Sequence, residues 1–318
     1  MVIKPQFQLD STSLIIMDGA MGTEIYNRGV ALDPHTWSAE ALATTAGQKV
    51  IESIHFDAIN AGAKIIITNT FRTDWLGASS KEAALLACKL AHQARSMAGA
   101  EKSVSIAGSV GPVGDCYTPE DTPSNKVLIN RHREHIRSLQ KGGVDFILAE
   151  TMPTIREAVI VAKLATKAGL PVGVSFCAKH HRGDLLLSKE SLADAVIAVT
   201  AIDGIQLVSI GVNCVTPQTA TESVQCLAKL DIPGRPLISV YAQGMDESSP
   251  VFDDDVIDPY QNYLNQVDKW LEAGAQIIGG CCGVPPSWIE TIAEKITKQQ
   301  PELPVIETPA APLANAVV

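Results

Sequence analysis

Residues 144–176 read VDFILAETMPTIREAVIVAKLATKAGLPVGVSF, and this stretch decides the fold class. An apolar run, Val144–Ala149, is followed by an amphipathic segment, Thr154–Ala168, and then by a second apolar run, Pro171–Phe176. Short runs of near-continuous hydrophobicity are typical of parallel strands that are buried on both faces. Gly169 lies where the amphipathic segment ends, as expected just beyond the end of a helix. The stretch therefore predicts a strand–helix–strand unit.

The same alternation continues along nearly the whole chain. The predicted strands are Leu14–Met17, Lys64–Thr68, Val104–Ser109, Val144–Ala149, Pro171–Phe176, Ile205–Val212, Pro236–Tyr241 and Ala275–Gly279. The predicted helices are Gly47–Ala61, Lys81–Ala98, Lys126–Gly142, Thr154–Ala168, Lys189–Thr200, Pro217–Lys229, Pro259–Ala273 and Pro286–Lys298. Eight such units in a chain of 318 residues predict an α/β fold, a single-domain (β/α)₈ TIM barrel. A doubly wound sheet is the alternative, but the residues after the first strand lack the G-x-G-x-x-G spacing of a dinucleotide loop.

Two segments stand apart from this alternation. We expect the barrel to occupy residues 1–300, and residues 301–318 to form a Pro/Ala-rich tail whose four prolines prevent a continued helix. Three consecutive acidic residues, Asp253–Asp255, lie in segment 243–258 after the seventh predicted strand. We interpret this run as a solvated acidic loop, with an interaction lid as the alternative.

Composition excludes several classes of protein. A hydrophobic content of 46% with only 5% aromatic residues indicates an aliphatic core, which suits an α/β protein. The net charge of −10, with basic residues scattered, argues against binding to nucleic acid or anionic membranes. No apolar stretch reaches the roughly 18 residues of a membrane helix. The odd count of seven cysteines and an N-terminus without a long apolar segment predict a reduced, cytoplasmic protein. Its aliphatic helix faces are compatible with a homo-oligomer.

Two adjacent cysteines, Cys281 and Cys282, follow the eighth predicted strand between Gly280 and Gly283. Adjacent cysteines do not easily bond to each other, but flanking glycines let the backbone bend so that both thiolates converge on a metal ion. Cys214 follows the sixth predicted strand, so all three cysteines reach the same mouth of the barrel. This arrangement predicts a zinc site with one open position, and buried structural thiols are the alternative.

The other four cysteines are weaker candidates. Cys88 and Cys226 lie within predicted helices and are interpreted as small buried hydrophobic residues. Cys177 follows the fifth predicted strand, and Cys116 lies in the loop after the third. Both positions are on the same rim as the zinc site, so they are kept as secondary candidates.

A zinc ion held by three thiolates favours a particular chemistry. Such a centre lowers the pKa of a substrate thiol, so the substrate binds as a thiolate at neutral pH. The negative ligand set keeps electron density on that sulfur, which therefore remains nucleophilic. Zinc sites that activate water more often use histidine or carboxylate ligands. The sequence thus favours attack by a sulfur nucleophile over hydrolysis.

Acidic and polar residues at other strand ends extend this site. Asp18 follows the first predicted strand, Asn69 the second, and Glu150 the fourth. Two carboxylates that face one barrel mouth predict a site for the ammonium group of an amino acid. The alternative for each carboxylate is that it only caps the next helix.

The motifs in this chain resemble those of the homocysteine S-methyltransferase family, which includes betaine- and S-methylmethionine-dependent enzymes and the homocysteine module of cobalamin-dependent methionine synthase. They occur in the family's order and, with their flanking segments, span residues 14 to about 298. The matching stretches are Met17-Asp18-Gly19-Ala20-Met21-Gly22-Thr23, Trp37-Ser38-Ala39, Thr68-Asn69-Thr70-Phe71, Gly108-Ser109-Val110-Gly111-Pro112, Glu150-Thr151, Gly211-Val212-Asn213-Cys214 and Gly279-Gly280-Cys281-Cys282-Gly283.

The resemblance implies a zinc-dependent methyltransferase on a (β/α)₈ barrel. It implies that homocysteine binds through its thiolate to zinc, and that its thiolate takes a methyl group from a small sulfonium or quaternary ammonium donor such as S-methylmethionine, S-adenosylmethionine or betaine, giving methionine. The implied zinc ligands, which are also the catalytic residues, are Cys214, Cys281 and Cys282. The implied contacts to the amino-acid end of homocysteine are Asp18, Gly19, Asn69 and Glu150.

Two departures from the family pattern concern the donor. Thr151 stands where betaine-dependent members carry a tyrosine, and the end of strand seven, Tyr241-Ala242-Gln243-Gly244, differs from the sequences of other branches. Both departures leave the identity of the donor open. With 318 residues the chain has no room for cobalamin or folate modules, which favours a stand-alone methyltransferase that uses a small sulfonium or ammonium donor. Trp37 and Tyr241 are candidate aromatic contacts for such a cation, and packing at the rim or in the core is the alternative.

Two other functions compete with this interpretation. One is a zinc enzyme that acts on another sulfur substrate, and the other is a thiol/zinc redox-sensing barrel. Two histidine-bearing segments could also suggest metal sites. Arg131–His135 is interpreted as a solvated helix face, whereas Lys179–Arg182 follows strand five and lies on the catalytic rim.

Overall fold

The computed structural model describes residue 9 and residues 13–244 and 258–299. The expected tail at residues 301–318 and the acidic run Asp253–Asp255 lie outside the described residues. Within the described ranges, the chain forms a single (β/α)₈ barrel, which confirms the predicted fold class.

Each predicted strand and helix overlaps an observed one. The strands are β1 (Ile15–Ile16), β2 (Ile65–Ile67), β3 (Ser105–Val110), β4 (Phe146–Met152), β5 (Val172–Phe176), β6 (Ala178–Lys179), β7 (Arg182–Leu186), β8 (Leu207–Asn213), β9 (Leu237–Ala242) and β10 (Ile277–Gly280). The α-helices are α1 (Gly22–Asn27), α2 (Thr45–Asn60), α3 (Ser80–Met97), α4 (Asn125–Gly142), α5 (Ile155–Lys167), α6 (Leu192–Thr200), α7 (Pro217–Leu227), α8 (Pro259–Glu272) and α9 (Pro286–Gln299).

All pairings within the barrel sheet are parallel. The strand order is β1-β10-β9-β8-β5-β4-β3-β2, so consecutive barrel strands are neighbours in space. A bridge between Met17 and Ile65 joins the two ends, supported by hydrogen bonds from the amide of Asp18 to the Ile65 carbonyl (2.9 Å) and from the amide of Lys64 to the Ile16 carbonyl (2.7 Å). The sheet is thereby closed, and the carboxyl ends of all eight strands meet at one mouth.

The core is divided between the inside and the outside of the barrel. The larger apolar cluster joins the strands to the surrounding helices, and it includes Ile106, Val174 and Trp270. A second cluster, with Met17 and Phe146 among its members, fills the barrel interior. Because side chains of a strand alternate between two buried surfaces, the strands carry the near-continuous apolar runs seen in the sequence.

The hairpin of β6 and β7 is an element that the sequence did not predict. It is antiparallel, follows β5, and packs against α7, where Ser223 Oγ donates a hydrogen bond to the Gly183 carbonyl (2.9 Å). His181 has a φ of 53° in the turn, a conformation more often adopted by glycine or asparagine. The segment therefore lacks the residues that would identify a hairpin turn.

The interpretation of Arg131–His135 as a solvated helix face is wrong for its two histidines. His132 and His135 lie one turn apart on α4 and are both buried. His132 Nε2 lies 2.8 Å from Glu157 Oε1, and His135 Nε2 lies 3.0 Å from the Ser109 carbonyl oxygen. The charged residues beside them, Arg131, Arg133 and Glu134, make this stretch look polar in the sequence, although the histidines face α5 and β3.

Candidate active site

The three predicted zinc ligands converge at the mouth of the barrel. Cys214 follows β8, whereas Cys281 and Cys282 follow β10, and their three Sγ atoms all lie within 4.8 Å of one another. Among the described residues, this is the one group of three or more cysteine, histidine or acidic side chains close enough to share a metal ion. The structure therefore brings together the three cysteines that the sequence places at one mouth of the barrel.

Strand β9, which lies between β8 and β10, holds the two cysteine-bearing loops together. The amide of Cys214 donates to the Tyr241 carbonyl (3.3 Å), and the amide of Cys281 donates to the adjacent Ala242 carbonyl (2.8 Å). Strands two positions apart in a sheet are separated by about 9.5 Å. The Cα atoms of Cys214 and Cys281 are nevertheless only 5.7 Å apart, because both loops curl over the end of β9.

The sulfur atoms of Cys214 and Cys281 are in direct contact, as in a disulfide. That all three cysteines act as thiolate ligands of zinc stays a prediction. A disulfide and a three-thiolate metal site are alternative states of the same residues, because a disulfide sulfur carries no negative charge to offer a metal. Metal binding therefore requires the reduced form of the pair.

Two buried carboxyl groups line a cavity of about 110 Å³ beside the cysteines. We refer to it as the inner cavity. Asp18 Oδ2 accepts a hydrogen bond from the amide of Ile67 (2.8 Å), and Glu150 Oε1 accepts one from Ser109 Oγ. Asp18 Oδ1 and the hydroxyl of Tyr241 are buried and have no hydrogen-bond partner of good geometry among the described residues. The cavity thus offers unsatisfied polar atoms to a ligand.

Burial makes both carboxyl groups weaker acids. It raises the pKa of Glu150 to about 7, although the hydrogen bond from Ser109 and the nearby hydroxyl of Tyr241 oppose this effect. Burial also raises the pKa of Asp18 well above its ordinary value; the amide of Ile67 opposes the rise, and the nearby charge of Glu150 adds to it. A cation placed between these groups would restore their ionised forms. Two neighbouring buried acids with raised pKa values therefore favour a positively charged ligand.

A bulge at the end of β4 brings Glu150 to the cavity. The register between β4 and β5 shifts between Ala149 and Met152, and Thr151 has a φ of 58°. Asn213, which is fully buried, holds this backbone in place. Its Oδ1 accepts hydrogen bonds from the amide of Thr151 (2.8 Å) and from Ser175 Oγ (2.7 Å), and its Nδ2 donates to Thr151 Oγ1 (2.7 Å). Asn213 lies in one of the motifs that resemble the family, but nothing in its local sequence indicates this supporting role.

Two glycines of the loop after β1 allow close packing around the inner cavity. A Cβ atom at Gly19 would lie 2.3 Å from the Val284 carbonyl oxygen, and one at Gly22 would lie 2.2 Å from Trp37 Nε1. Trp37 itself has a φ of 50° and lines the cavity wall. Both positions therefore require glycine, because the chain after β10 packs against Gly19 and the indole ring of Trp37 packs against Gly22.

Asn69 lies on the same wall, as predicted, although its amide is already engaged. Its side-chain Nδ2 donates a hydrogen bond to the Ser38 carbonyl (2.9 Å), so it fixes the segment around Trp37. The predicted residues Asp18, Gly19, Asn69 and Glu150 all line the inner cavity together with the three cysteines.

A second cavity, of about 270 Å³, adjoins the first one. We refer to it as the outer cavity. It shares Trp37, Phe71, Cys214 and Cys282 with the inner cavity. Its other lining residues are Thr23, Pro34, Arg72, Asp115, Cys116 and Tyr117. The cysteine cluster therefore lies at the junction of two spaces that share Trp37 and Phe71, and the inner one adds the two buried carboxyl groups.

Several residues of the outer cavity carried no prediction. Arg72, Asp115 and Tyr117 lie in loops after β2 and β3, and nothing in their local sequence distinguishes them from ordinary loop residues. Tyr117 is linked to the metal-site loops through Gln243, whose Nε2 lies 2.9 Å from the Tyr117 hydroxyl and 3.2 Å from the Cys214 carbonyl oxygen. Only folding brings these loops together.

The remaining cysteines and histidines have other positions. Cys116 and Cys177 are buried near the cluster without joining it, and Cys177 Sγ lies 3.8 Å from the Cys214 carbonyl oxygen. Cys88 is buried within α3 and Cys226 is half-buried in α7, in agreement with a structural role.

His181 is in the β6–β7 turn and, within the described residues, lines neither cavity. Tyr241 lines the inner cavity only.

The fold and the site define an enzyme of the (β/α)₈-barrel class with a sulfur-rich centre at its mouth. Comparison with known proteins is more specific. The family model described as homocysteine S-methyltransferase matches residues 15–296. Homocysteine S-methyltransferase from Escherichia coli K12 is 29% identical, with 89% of this chain and 96% of that protein covered. Homocysteine S-methyltransferase 4 from Zea mays is 26% identical, with 92% of each chain covered.

Solved structures agree with this assignment. The metallated form of the homocysteine methyltransferase MmuM from Escherichia coli aligns with a TM-score of 0.75 at 27% identity, covering 90% of this chain and 97% of that one. The chain therefore belongs to the homocysteine S-methyltransferase family, and the protein is a methyltransferase. Family membership does not favour the redox-sensing alternative. No helix among the described residues is long and apolar enough to cross a membrane.

Proposed function

We propose that this protein transfers a methyl group from a small onium donor to the sulfur of homocysteine, giving methionine, with zinc held by Cys214, Cys281 and Cys282. The observation that carries the proposal is the placement of three cysteine sulfurs, within 4.8 Å of one another, at the junction of the two cavities. One cavity suits an amino acid, the other suits a cation, and the sulfur centre lies where their reacting ends would meet.

The three cysteines fit a zinc ion on chemical and geometric grounds. Sulfur ligands about 2.3 Å from a tetrahedral zinc ion are separated by about 3.8 Å, which is compatible with the spread of these sulfurs. Thiolates are soft ligands and favour zinc over magnesium or calcium. When bound, zinc supplies Lewis acidity that stabilises a substrate thiol in its thiolate form near neutral pH. The metallated form of the related MmuM supports a metal at this site.

The acceptor side follows from the two buried carboxyl groups. The ammonium group of homocysteine would lie between Glu150 and Asp18 Oδ1, which has no hydrogen-bond partner among the described residues. Its positive charge would offset the repulsion between the two carboxylates and keep both ionised. Ile67 and Ser109 already bind Asp18 Oδ2 and Glu150 Oε1, which leaves Asp18 Oδ1 to accept a hydrogen bond from the ammonium group. The amino-acid end is thereby held while the sulfur reaches the cysteines.

The proposed methyl transfer is a nucleophilic substitution at the methyl carbon of the donor. The homocysteine thiol first loses its proton to solvent, and its sulfur then forms a bond to the donor methyl carbon. The bond between that carbon and the donor's sulfonium or ammonium atom breaks, and its electron pair returns to the donor, which leaves as a neutral molecule. Opposite charges disappear as the reactants meet, so a cavity that excludes water lowers the barrier.

The donor side follows from the aromatic lining of the outer cavity. Trp37, Phe71 and Tyr117 present aromatic side chains there, and aromatic faces attract sulfonium and quaternary ammonium ions. A donor in this space would lie next to the cysteine centre, onto which the inner cavity also opens, so the methyl group and the attacking sulfur are brought together.

The direct test is methionine formation. Reduced, zinc-loaded protein is incubated with homocysteine and, in separate reactions, with S-methylmethionine, S-adenosylmethionine, betaine or dimethylsulfoniopropionate. We expect methionine with at least one donor, and loss of both zinc and activity in Cys281→Ala. Cys226→Ala, which changes a half-buried cysteine of α7, is the matched control and should retain both. Absence of methionine from every donor, with zinc bound, would refute the proposal.

A further inference from the structure

The outer cavity contains an arginine where a cation is expected to bind. Arg72 is the only basic residue in its described lining, and Asp115 is the only acidic one. An arginine alone would repel a simple onium ion, particularly where solvent is partly excluded. Its presence is favourable only if the donor also carries a negative group.

The guanidinium of Arg72 is held rigidly without a carboxylate partner. Its Nη1 donates to the Gly114 carbonyl (2.5 Å) and its Nη2 lies 3.9 Å from Cys116 Sγ. It also stacks against Phe71 and Trp75, with its central carbon 5.2 Å and 5.0 Å from the ring centroids. No carboxylate oxygen of the described residues lies within 4.0 Å of it. A half-buried, oriented guanidinium that makes no salt bridge with the described residues is well suited to a carboxylate ligand.

Asp115 adds the opposite charge at the edge of the same cavity. Its two oxygens accept hydrogen bonds from the amide of Tyr117 (3.1 Å) and from Thr118 Oγ1 (2.9 Å), and these contacts fix the carboxylate in its loop. Each carboxylate oxygen keeps further acceptor capacity. Arg72 and Asp115 therefore form a pair of opposite charges beside the aromatic side chains, complementary to the two charges of an amino acid.

We propose that Arg72 is a specificity-determining residue that selects onium donors carrying a carboxylate, and that Asp115 favours those that also carry an ammonium group. The preferred donors are then sulfonium amino acids, with the onium centre at the aromatic side chains and the amino-acid end at these two residues. This inference rests on the proposed function, because it assigns the outer cavity to the methyl donor.

The test compares three donors that differ in one charged group at a time. S-methylmethionine carries a carboxylate and an ammonium group, dimethylsulfoniopropionate carries the carboxylate alone, and the trimethylsulfonium ion carries neither. For each donor, kcat/KM is measured with saturating homocysteine in the wild type and in Arg72→Gln, Arg72→Lys and Asp115→Asn. Arg133→Gln, at an exposed position on α4, is the control for loss of a surface charge.

We expect the wild type to prefer S-methylmethionine, and Arg72→Gln to lower its kcat/KM by about 10- to 100-fold. The value for trimethylsulfonium should stay constant or rise, because a repulsive charge has been removed. Arg72→Lys should fall in between, since it keeps the charge and loses the planar fork. Asp115→Asn should lower kcat/KM for S-methylmethionine while leaving that for dimethylsulfoniopropionate unchanged.

Two results would overturn the inference while leaving the proposed function intact. One is an equal loss for all donors in Arg72→Gln, which would assign Arg72 a purely structural role in the loop of Gly114. The other is a wild-type enzyme that uses trimethylsulfonium as well as S-methylmethionine. Absence of methyl transfer from every donor in the wild type would instead refute the proposed function, and this inference with it.

Discussion

Glu150→Gln tests the central electrostatic feature of the site, because it should strengthen the empty fold while weakening substrate binding. Burial raises the pKa of Glu150 from 4.5 to about 7. The stabilising contribution of the protonated carboxyl is complete below pH 4.5 and is lost as the pH rises through about 7. The neutral amide of glutamine does not undergo this loss.

The magnitude follows from the two pKa values. The difference between 4.5 and about 7 corresponds to about 3 kcal/mol of unfolding free energy lost between acid and alkaline pH. At pH 8, Glu150→Gln should therefore be more stable than the wild type by about 1–3 kcal/mol, after allowing for a weaker hydrogen bond from Ser109. Asp18 has a raised pKa as well, so the variant keeps part of the pH dependence.

The assay is urea unfolding of reduced, metal-free protein at pH 5.5 and pH 8. In parallel, the KM for homocysteine is measured with zinc-loaded enzyme, and it should rise by about 10- to 100-fold because a charged partner of the ammonium group is lost. Glu290→Gln, at an exposed position on α9, is the matched control for removal of one negative charge. It should change neither the pH dependence nor the KM.

The reasoning would be refuted by an identical pH dependence of stability in Glu150→Gln and the wild type. That result would mean that Glu150 ionises in the folded protein as readily as in the unfolded chain. An unchanged KM for homocysteine together with the expected stability shift would keep the pKa argument and remove Glu150 from the proposed ammonium site.

Three further predictions concern the metal and its supports. Reduced wild type should bind about one zinc ion per chain, and Cys281→Ala should lose it while keeping its circular dichroism spectrum, as metal analysis would show. Asn213→Ala should lower the unfolding free energy by about 2–4 kcal/mol, since three buried hydrogen bonds are lost; a change below about 1 kcal/mol in urea unfolding would contradict this. Gly22→Ala should displace the indole of Trp37 and raise the donor KM, leaving the affinity for zinc unchanged.

Much of the fold could be predicted because its information is local. Each barrel strand shows as a short apolar run and each large helix as an amphipathic segment, and alternation of the two specifies a parallel barrel with one functional rim. The β6–β7 hairpin was missed because its turn places His181 at positive φ without glycine or asparagine. The burial of His132 was missed because partners for its imidazole come from α5, which is distant in sequence.

The sequence by itself determined which residues could do chemistry and on which rim they would lie. Cys214 and the Cys281–Cys282 pair follow predicted strands, and the barrel topology then sends them to one mouth. The tertiary structure alone decided how they are used. A bulge at Thr151 aims Glu150 inwards, burial raises its pKa, and the loops after β2 and β3 bring Arg72 and Asp115 beside the cysteines of β8 and β10 in a second cavity. These features depend on distances between segments far apart in the chain, and local periodicity carries no information about such distances.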